Sequence, residues 1–250
     1  MQNEETKKAF DRDGFGIVRR FLDEGELAEL TGELSCFIRQ VVPTMPDADA
    51  FYQDRARPET LKQINNFSED SYFNQYLQHP KWIELADVLV GEPLGEKQYE
   101  WFNKPPGTNH YTPPHQDNYY FKLKPAHVVT IWLALDTVNE QNGCLRYVSG
   151  SHLEGLRPHD GSNVLGFSQG ITDYGSNDQA REVQVFLRPG DAVAHHGMAI
   201  HRADANHSKT NQRRAFVMVG QGVSCRPDKE AVARHEAALK AQHEKMGLKV

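Results

Sequence analysis

The sequence is poor in cysteine, in long apolar runs and in excess positive charge, and each shortage removes a class of protein. Three widely separated cysteines, Cys36, Cys144 and Cys225, provide neither a disulfide framework nor a cysteine-based metal motif. No stretch approaches the ~20 apolar residues that a membrane span needs. Lysine and arginine number 28 against 34 aspartate and glutamate residues, which argues against a nucleic-acid-binding surface.

The sequence also lacks an export signal and any linker that would mark a domain boundary. Near Met1 no basic segment is followed by an apolar run, so cytoplasm is the expected location. No internal repeat is present, and no linker divides the 250 residues. We therefore expect a single domain over 1–250, a length at which one sandwich or barrel can bury a sizeable core.

The first third of the chain is patterned for helices. Asp23 and Glu26 form a capping-box pattern. Apolar residues follow it at helical spacing: Leu27, Leu30, Leu34, Phe37, Ile38 and Val41. Residues 72–90 predict two more helical segments, broken at Pro80. We expect this part, 1–90, to pack on a sheet.

Most of the remainder is patterned for strands. Short apolar runs alternate with Gly, Pro or Asn across 95–222, which indicates a β-sandwich or barrel. The runs are 97–104, 128–137, 144–148, 183–187, 192–196 and 215–221. Polar segments at 43–58 and 159–180 are a candidate lid and a candidate active-site loop. Residues 227–246 predict a C-terminal helix.

The triplet His115-Gln116-Asp117 carries the strongest functional signal. Side chains alternate along a strand, so His115 and Asp117 share a face. Alone, such a pair fits a polar strand end equally well. With a second imidazole from a distant strand it forms the facial triad of non-haem Fe(II) oxygenases. On composition alone the second imidazole could come from His195, His196, His201 or His207.

A fixed order of motifs surrounds the triplet. The motifs are 98–107, Pro113-Pro114-His115-Gln116-Asp117, 130–136, Asn142-Gly143-Cys144-Leu145, Ser149-Gly150-Ser151-His152, Arg188-Pro189-Gly190-Asp191, and His201 with Asn206, Ser208, Arg213, Arg214 and Ala215. Over about 11–220 this set resembles the phytanoyl-CoA dioxygenase family, which includes the ectoine hydroxylases. Ser149 stands where that family usually has proline, and the interval from His201 to Arg213 is one residue longer than usual.

The resemblance implies a fold and a reaction. The fold would be mainly β with flanking helices, a double-stranded β-helix (a cupin-like jelly roll). Fe(II), 2-oxoglutarate and O2 would hydroxylate a small organic metabolite, with release of succinate and CO2. The metal ligands would be His115, Asp117 and His201. Related halogenases have glycine or alanine at the acidic position, so Asp117 favours hydroxylation.

Further site residues follow from the resemblance and from strand alternation. Arg213, or else Arg214, would grip the far carboxylate of 2-oxoglutarate through charge-assisted hydrogen bonds. Additional co-substrate contacts would be Gln98, Trp132 and Gln63. Substrate contacts would be Glu100, Tyr120, Asn118 and Arg202. If Gln98 faces the barrel interior, Glu100 and Phe102 do too, whereas an outward Glu100 would be a routine surface charge.

The expected partner is a small-molecule substrate, with neither nucleic acid nor membrane, and the protein would be a monomer or a homodimer. A competing hypothesis is a cupin-like metal-binding protein or isomerase that holds Zn or Ni without oxygenase turnover. The arginine clamp distinguishes the two, since a simple binding protein has no reason to hold a dicarboxylate.

Overall fold

A computed structural model describes residues 2–108, 110–164 and 167–233, with the side chains of 162–168 excepted. The predicted C-terminal helix over 227–246 lies mostly outside these residues. Within them, 229–233 are helical.

The predicted N-terminal helices form. The α-helices of the protein are α1 (Gln2–Asp13), α2 (Glu24–Gln40), α3 (Ser71–Tyr76), α4 (Pro80–Val90), α5 (Asn118–Phe121) and α6 (Ser176–Ala180). The expected capping box starts α2, because Asp23 accepts a hydrogen bond from the Glu26 N–H and the Glu26 carboxylate accepts one from the Asp23 N–H. Pro80 begins α4, and Gly91 ends it with φ at +81°, a conformation that favours glycine.

The strands form two antiparallel sheets and two short ribbons. They are β1 (Phe15–Val18), β2 (Ala50–Tyr52), β3 (Leu61–Ile64), β4 (Leu94–Asn103), β5 (Thr112–His115), β6 (Leu123–Lys124), β7 (Val128–Ala134), β8 (Leu145–Val148), β9 (His159–Val164), β10 (Phe167–Ile171), β11 (Glu182–Val185), β12 (Ala192–His196), β13 (His201–Ala203), β14 (Arg214–Gly222) and β15 (Arg226–Pro227). The large sheet has the order β1-β12-β7-β14-β4-β3-β2, and the small sheet β11-β8-β13-β5. Together they make the predicted jelly roll.

Strand alternation divides the core into two layers. Tyr99 and Trp101 of β4 and Phe216 of β14 pack against the helices on one face of the large sheet. On the other face, Trp132 and Val217 pack toward the small sheet. The predicted alternation along β4 is therefore confirmed, and the residues between the sheets are the ones that can line an internal site.

Two segments predicted as loops contain regular structure. Residues 159–180 hold the hairpin of β9 and β10 and then α6, and 43–58 include β2, which pairs with β3. The sequence does not predict these strands because their side chains are mostly polar. Strands are recognised in a sequence by alternating apolar residues, and short, partly exposed strands do not need an apolar face. No helix in the described ranges combines the length and apolar character needed to cross a bilayer.

Phe216→Ala should lower the free energy of unfolding by about 3–5 kcal/mol, because it opens a void at the centre of the helix-facing layer. The ring is fully buried and lies 4.5 Å, centroid to centroid, from Tyr99. Urea denaturation would measure the loss, with Val88→Ala at an exposed position of α4 as control. A loss below 1 kcal/mol for Phe216→Ala would contradict this packing.

Candidate metal centre

Three potential ligands meet between the sheets. In the register of the small sheet His201, the first residue of β13, lies opposite His115, the last residue of β5, and Asp117 follows just before α5. One donor atom from each residue lies within 4.8 Å of the other two. The Asp117 Oδ1 atom is 3.6 Å from the Nε2 atom of each histidine. One cation can contact all three.

Both histidines are oriented for metal binding. Nδ1 of His115 lies 2.8 Å from the Pro113 carbonyl, and Nδ1 of His201 lies 3.1 Å from the Ala199 carbonyl. Donation through Nδ1 leaves each Nε2 lone pair facing the site, as in many metal centres. Burial lowers the pKa of both imidazoles, so they are held in the neutral form that binds metals.

The Asp117 carboxylate is held in place by hydrogen bonds to the oxygen that faces away from the two histidines. Its Oδ2 accepts hydrogen bonds from Thr130 Oγ1 at 2.7 Å and from His195 Nε2 at 3.0 Å. Burial alone would raise the pKa of Asp117, but nearby His201 and the His195 hydrogen bond outweigh it and lower that pKa. Oδ1 remains free to face the imidazoles, which suits one-oxygen coordination.

The other candidate distal histidines lie elsewhere. His195 is behind Asp117, where its Nδ1 pairs with the buried Tyr147 hydroxyl at 3.0 Å. His196 packs beside Phe10, with ring centroids 5.7 Å apart. His207 is exposed. Within the described residues only His201 joins His115 and Asp117 in a three-donor group.

A cavity of about 280 Å³ opens beside this group. Its wall includes Gln63, Glu100, Tyr120, Trp132 and Arg213, all predicted site residues. It also includes Thr130, Lys62 and Lys104, which the sequence reasoning did not assign. Alternation along β7 could have identified Thr130, since it lies two positions from the inward Trp132.

The two arginines have different surroundings. Arg214 is engaged by Asp136 at 2.7 and 2.9 Å and is partly exposed. Arg213 is buried, its Nε has no hydrogen-bond partner, and its guanidinium lies 5.4 Å from the Trp132 ring centroid. Burial lowers the pKa of Arg213 to about 10, so it remains a cation at neutral pH. A buried cation without a carboxylate is suited to an acidic ligand.

A family model for phytanoyl-CoA dioxygenase (PhyH) matches residues 10–215. The chain belongs to this family. Human peroxisomal phytanoyl-CoA dioxygenase is 26% identical over 219 residues, covering 82% of this chain and 64% of the human protein. The Arabidopsis thaliana phytanoyl-CoA dioxygenase is 24% identical, covering 87% and 88%. The chain thus spans about 64% of the length of the mammalian relatives that it matches.

Solved structures share the fold. The epimerase SnoN, in complex with Fe3+, alpha ketoglutarate and nogalamycin RO, has a TM-score of 0.71 and 25% identity, covering 91% of this chain and 87% of that one. EctD from S. alaskensis has a TM-score of 0.72 and 15% identity, covering 90% and 79%. These likenesses support the jelly-roll assignment for this PhyH member.

Three expected contact residues do not reach the cavity. Because His201 points inward, Arg202 points outward, where it pairs with Glu182 and Asp204. The Asn118 side chain hydrogen-bonds the backbone of Leu123 in the turn after α5. Gln98 is exposed and lies outside the cavity wall, and its amide donates to Glu100 at 3.0 Å. As direct contacts, the assignments of Arg202, Asn118 and Gln98 are corrected.

Gln116, between the two ligands, anchors the triplet to its surroundings. Its side-chain amide donates to the carbonyls of Gly155 and Met198 at 2.9 and 2.8 Å, and its side-chain oxygen accepts from the Arg157 N–H at 2.8 Å. The backbone N–H of Gln116 is 3.2 Å from His159 Nε2 in β9. The strand end is therefore held on the side away from the cavity.

Thr130→Val should weaken Co(II) binding by about tenfold or more, because it removes a donor that orients Asp117 while keeping side-chain size. Visible absorption of Co(II) would measure the dissociation constant. Thr137→Val, at an exposed position beyond the end of β7, is the control. Equal Co(II) affinity in both variants would show that the Thr130 hydrogen bond to Asp117 does not contribute to metal binding.

Arg213→Ala should cost on the order of 2–5 kcal/mol in 2-oxoglutarate binding, as expected when a buried charge partner is lost. Arg214→Ala should leave that affinity almost unchanged, since its partner is Asp136. Michaelis constants for 2-oxoglutarate would compare the two. If 2-oxoglutarate binding were impaired in Arg214→Ala and normal in Arg213→Ala, Arg214 would be the residue that binds the carboxylate.

Proposed function

We propose that the chain is an Fe(II)- and 2-oxoglutarate-dependent dioxygenase that hydroxylates a small organic molecule and releases succinate and CO2. The observation that carries the proposal is the position of Arg213, a buried cation lacking an acidic partner in the described chain, in the same cavity as His115, Asp117 and His201. A metal site alone does not require this cation. A site for a dicarboxylate beside the metal does.

The donor set fits iron. Two neutral imidazoles and one carboxylate oxygen, with donor atoms within 4.8 Å of one another, are the ligand set of the facial triad that leaves coordination positions open. Trp132 and Tyr120 line the same cavity as these three residues. When bound, iron with 2-oxoglutarate and O2 would supply the oxidising chemistry, as known for this class of site.

The side chains of the cavity have separate tasks in this proposal. Arg213 holds the far carboxylate of 2-oxoglutarate, and Trp132 lies under the guanidinium and restricts its movement. Gln63 of β3, which lies opposite Phe102 of β4, is a further polar contact. Phe102, Phe121 and Val217 give the wall apolar surface, which excludes water and strengthens the charge-assisted bonds inside.

The relatives support the reaction class without specifying its product. SnoN is an epimerase and SnoK a carbocyclase, so this fold serves several outcomes. Hydroxylation is proposed here because Asp117 occupies the acidic ligand position, which leaves no room for a halide ligand there. The competing hypothesis, a Zn- or Ni-binding protein without turnover, gives Arg213 no ligand.

Anaerobic addition of Fe(II) and 2-oxoglutarate should produce the weak visible charge-transfer band of the chelate. Asp117→Ala should abolish this band and, after O2 is admitted, the formation of hydroxylated product. The fold should persist in the variant, because the site lies in a cavity wall and not in a packed layer. Circular dichroism is the control for folding. Absence of the band in the native protein would favour the metal-binding alternative, and retained coupled turnover in Asp117→Ala would refute the ligand assignment.

A further inference from the structure

The cavity contains a carboxylate that the proposed chemistry leaves unused. Glu100 lies on the inward face of β4, and its recorded hydrogen bond comes from the Gln98 amide at 3.0 Å. Among the residues that the structure describes, no lysine or arginine forms an ion pair with it. Glu100 is half-buried in the cavity wall, and a partly desolvated carboxylate is costly unless a cation or several donors compensate it.

The sheet register shows why the protein itself supplies no counter-ion. Val217 of β14 lies directly opposite Glu100, and Trp132 of β7 lies opposite Val217 on its other side. The neighbours of Glu100 along this row are therefore apolar. Burial first, and then the charge of Asp117, raise the pKa of Glu100 to about 7. The carboxylate thus lacks stabilisation that a ligand could provide.

The basic residues of the cavity wall, Lys62, Lys104 and Arg213, lie toward the end of β4 that follows Glu100. Lys104 follows β4 four residues after Glu100, which at about 3.3 Å per residue places their backbones roughly 13 Å apart. The Lys104 N–H donates to the Arg213 carbonyl at 3.1 Å. Lys62 precedes Gln63, which pairs with Phe102 near that end of β4, so the three basic residues lie on the same side of Glu100. A dicarboxylate held by Arg213 would occupy this end and would bring no positive charge to Glu100.

We propose that Glu100 is the binding site for a protonated amine or similar cationic group of the primary substrate, whose apolar part packs on Phe102, Val217 and Val219. The inference rests on the proposed function and names its substrate class. Asp117 lines the same cavity as Glu100, so a molecule anchored through its cation at Glu100 shares that cavity with the metal ligands.

Binding of three probes of equal length tests the substrate class. Hexylamine, hexan-1-ol and hexanoate would be titrated calorimetrically into the anaerobic holoenzyme with Fe(II) and 2-oxoglutarate. Hexylamine should bind at least about tenfold more tightly than hexan-1-ol, since hydrogen bonds to charged groups exceed neutral ones by this order. Hexanoate should bind most weakly, because it places a second anion beside Glu100.

Glu100→Gln should remove the preference for hexylamine while 2-oxoglutarate affinity stays within twofold of the native value. Glu96→Gln is the matched control, since Glu96 lies on the same strand and is exposed. Thermal unfolding would verify that both variants fold. Equal binding of hexylamine and hexan-1-ol, no measurable hexylamine binding, or a preference retained in Glu100→Gln would overturn the inference.

Two further readouts separate this inference from the proposed function. A parallel loss of 2-oxoglutarate affinity in Glu100→Gln would mean that Glu100 acts through the metal site, and it would also overturn the inference. The visible chelate band, recorded before any probe is added, tests the dioxygenase assignment alone. A normal band without amine preference therefore rejects only the substrate class.

Discussion

The hydrogen bonds to Oδ2 of Asp117 are the interaction on which the rest of the site depends. A carboxylate with only 15% of its side chain exposed requires donors, and they come from Thr130 on β7 and His195 on β12. His195 is itself held by Tyr147 of β8, in the small sheet. The metal position is thus defined by contacts that cross from one sheet to the other, and it exists only when both are assembled.

The features that the sequence predicts correctly are those that depend on neighbouring residues. The capping box of Asp23 and Glu26 and the break at Pro80 depend on neighbouring residues, and both are observed. The alternation that placed Glu100 inward is equally local, because it needs only the strand and its phase. The phase of β13 follows likewise, because an inward His201 requires that the next residue, Arg202, point away from the cavity.

Other features depend on contacts between distant segments. Nothing near His195 in the sequence shows that its imidazole lies behind Asp117, 78 positions earlier. The difference between Arg213 and Arg214 arises from Asp136, which removes one guanidinium from the cavity. The polar sequence of β9 and β10 predicts a loop. The hairpin instead forms where it contacts Gln116 and Tyr120, and such tertiary contacts have no sequence signature.

The anchoring of Gln116 has a consequence for the evolution of such sites. Its amide satisfies two carbonyls and one N–H while the side chain remains fully buried, so leucine would leave all three groups unpaired and glutamate would oppose two carbonyl oxygens. The position is constrained although it touches neither metal nor cavity. Divergence of substrate preference in descendants of this chain is therefore expected to proceed along β4 and β14, while the back of the ligand strand stays unchanged.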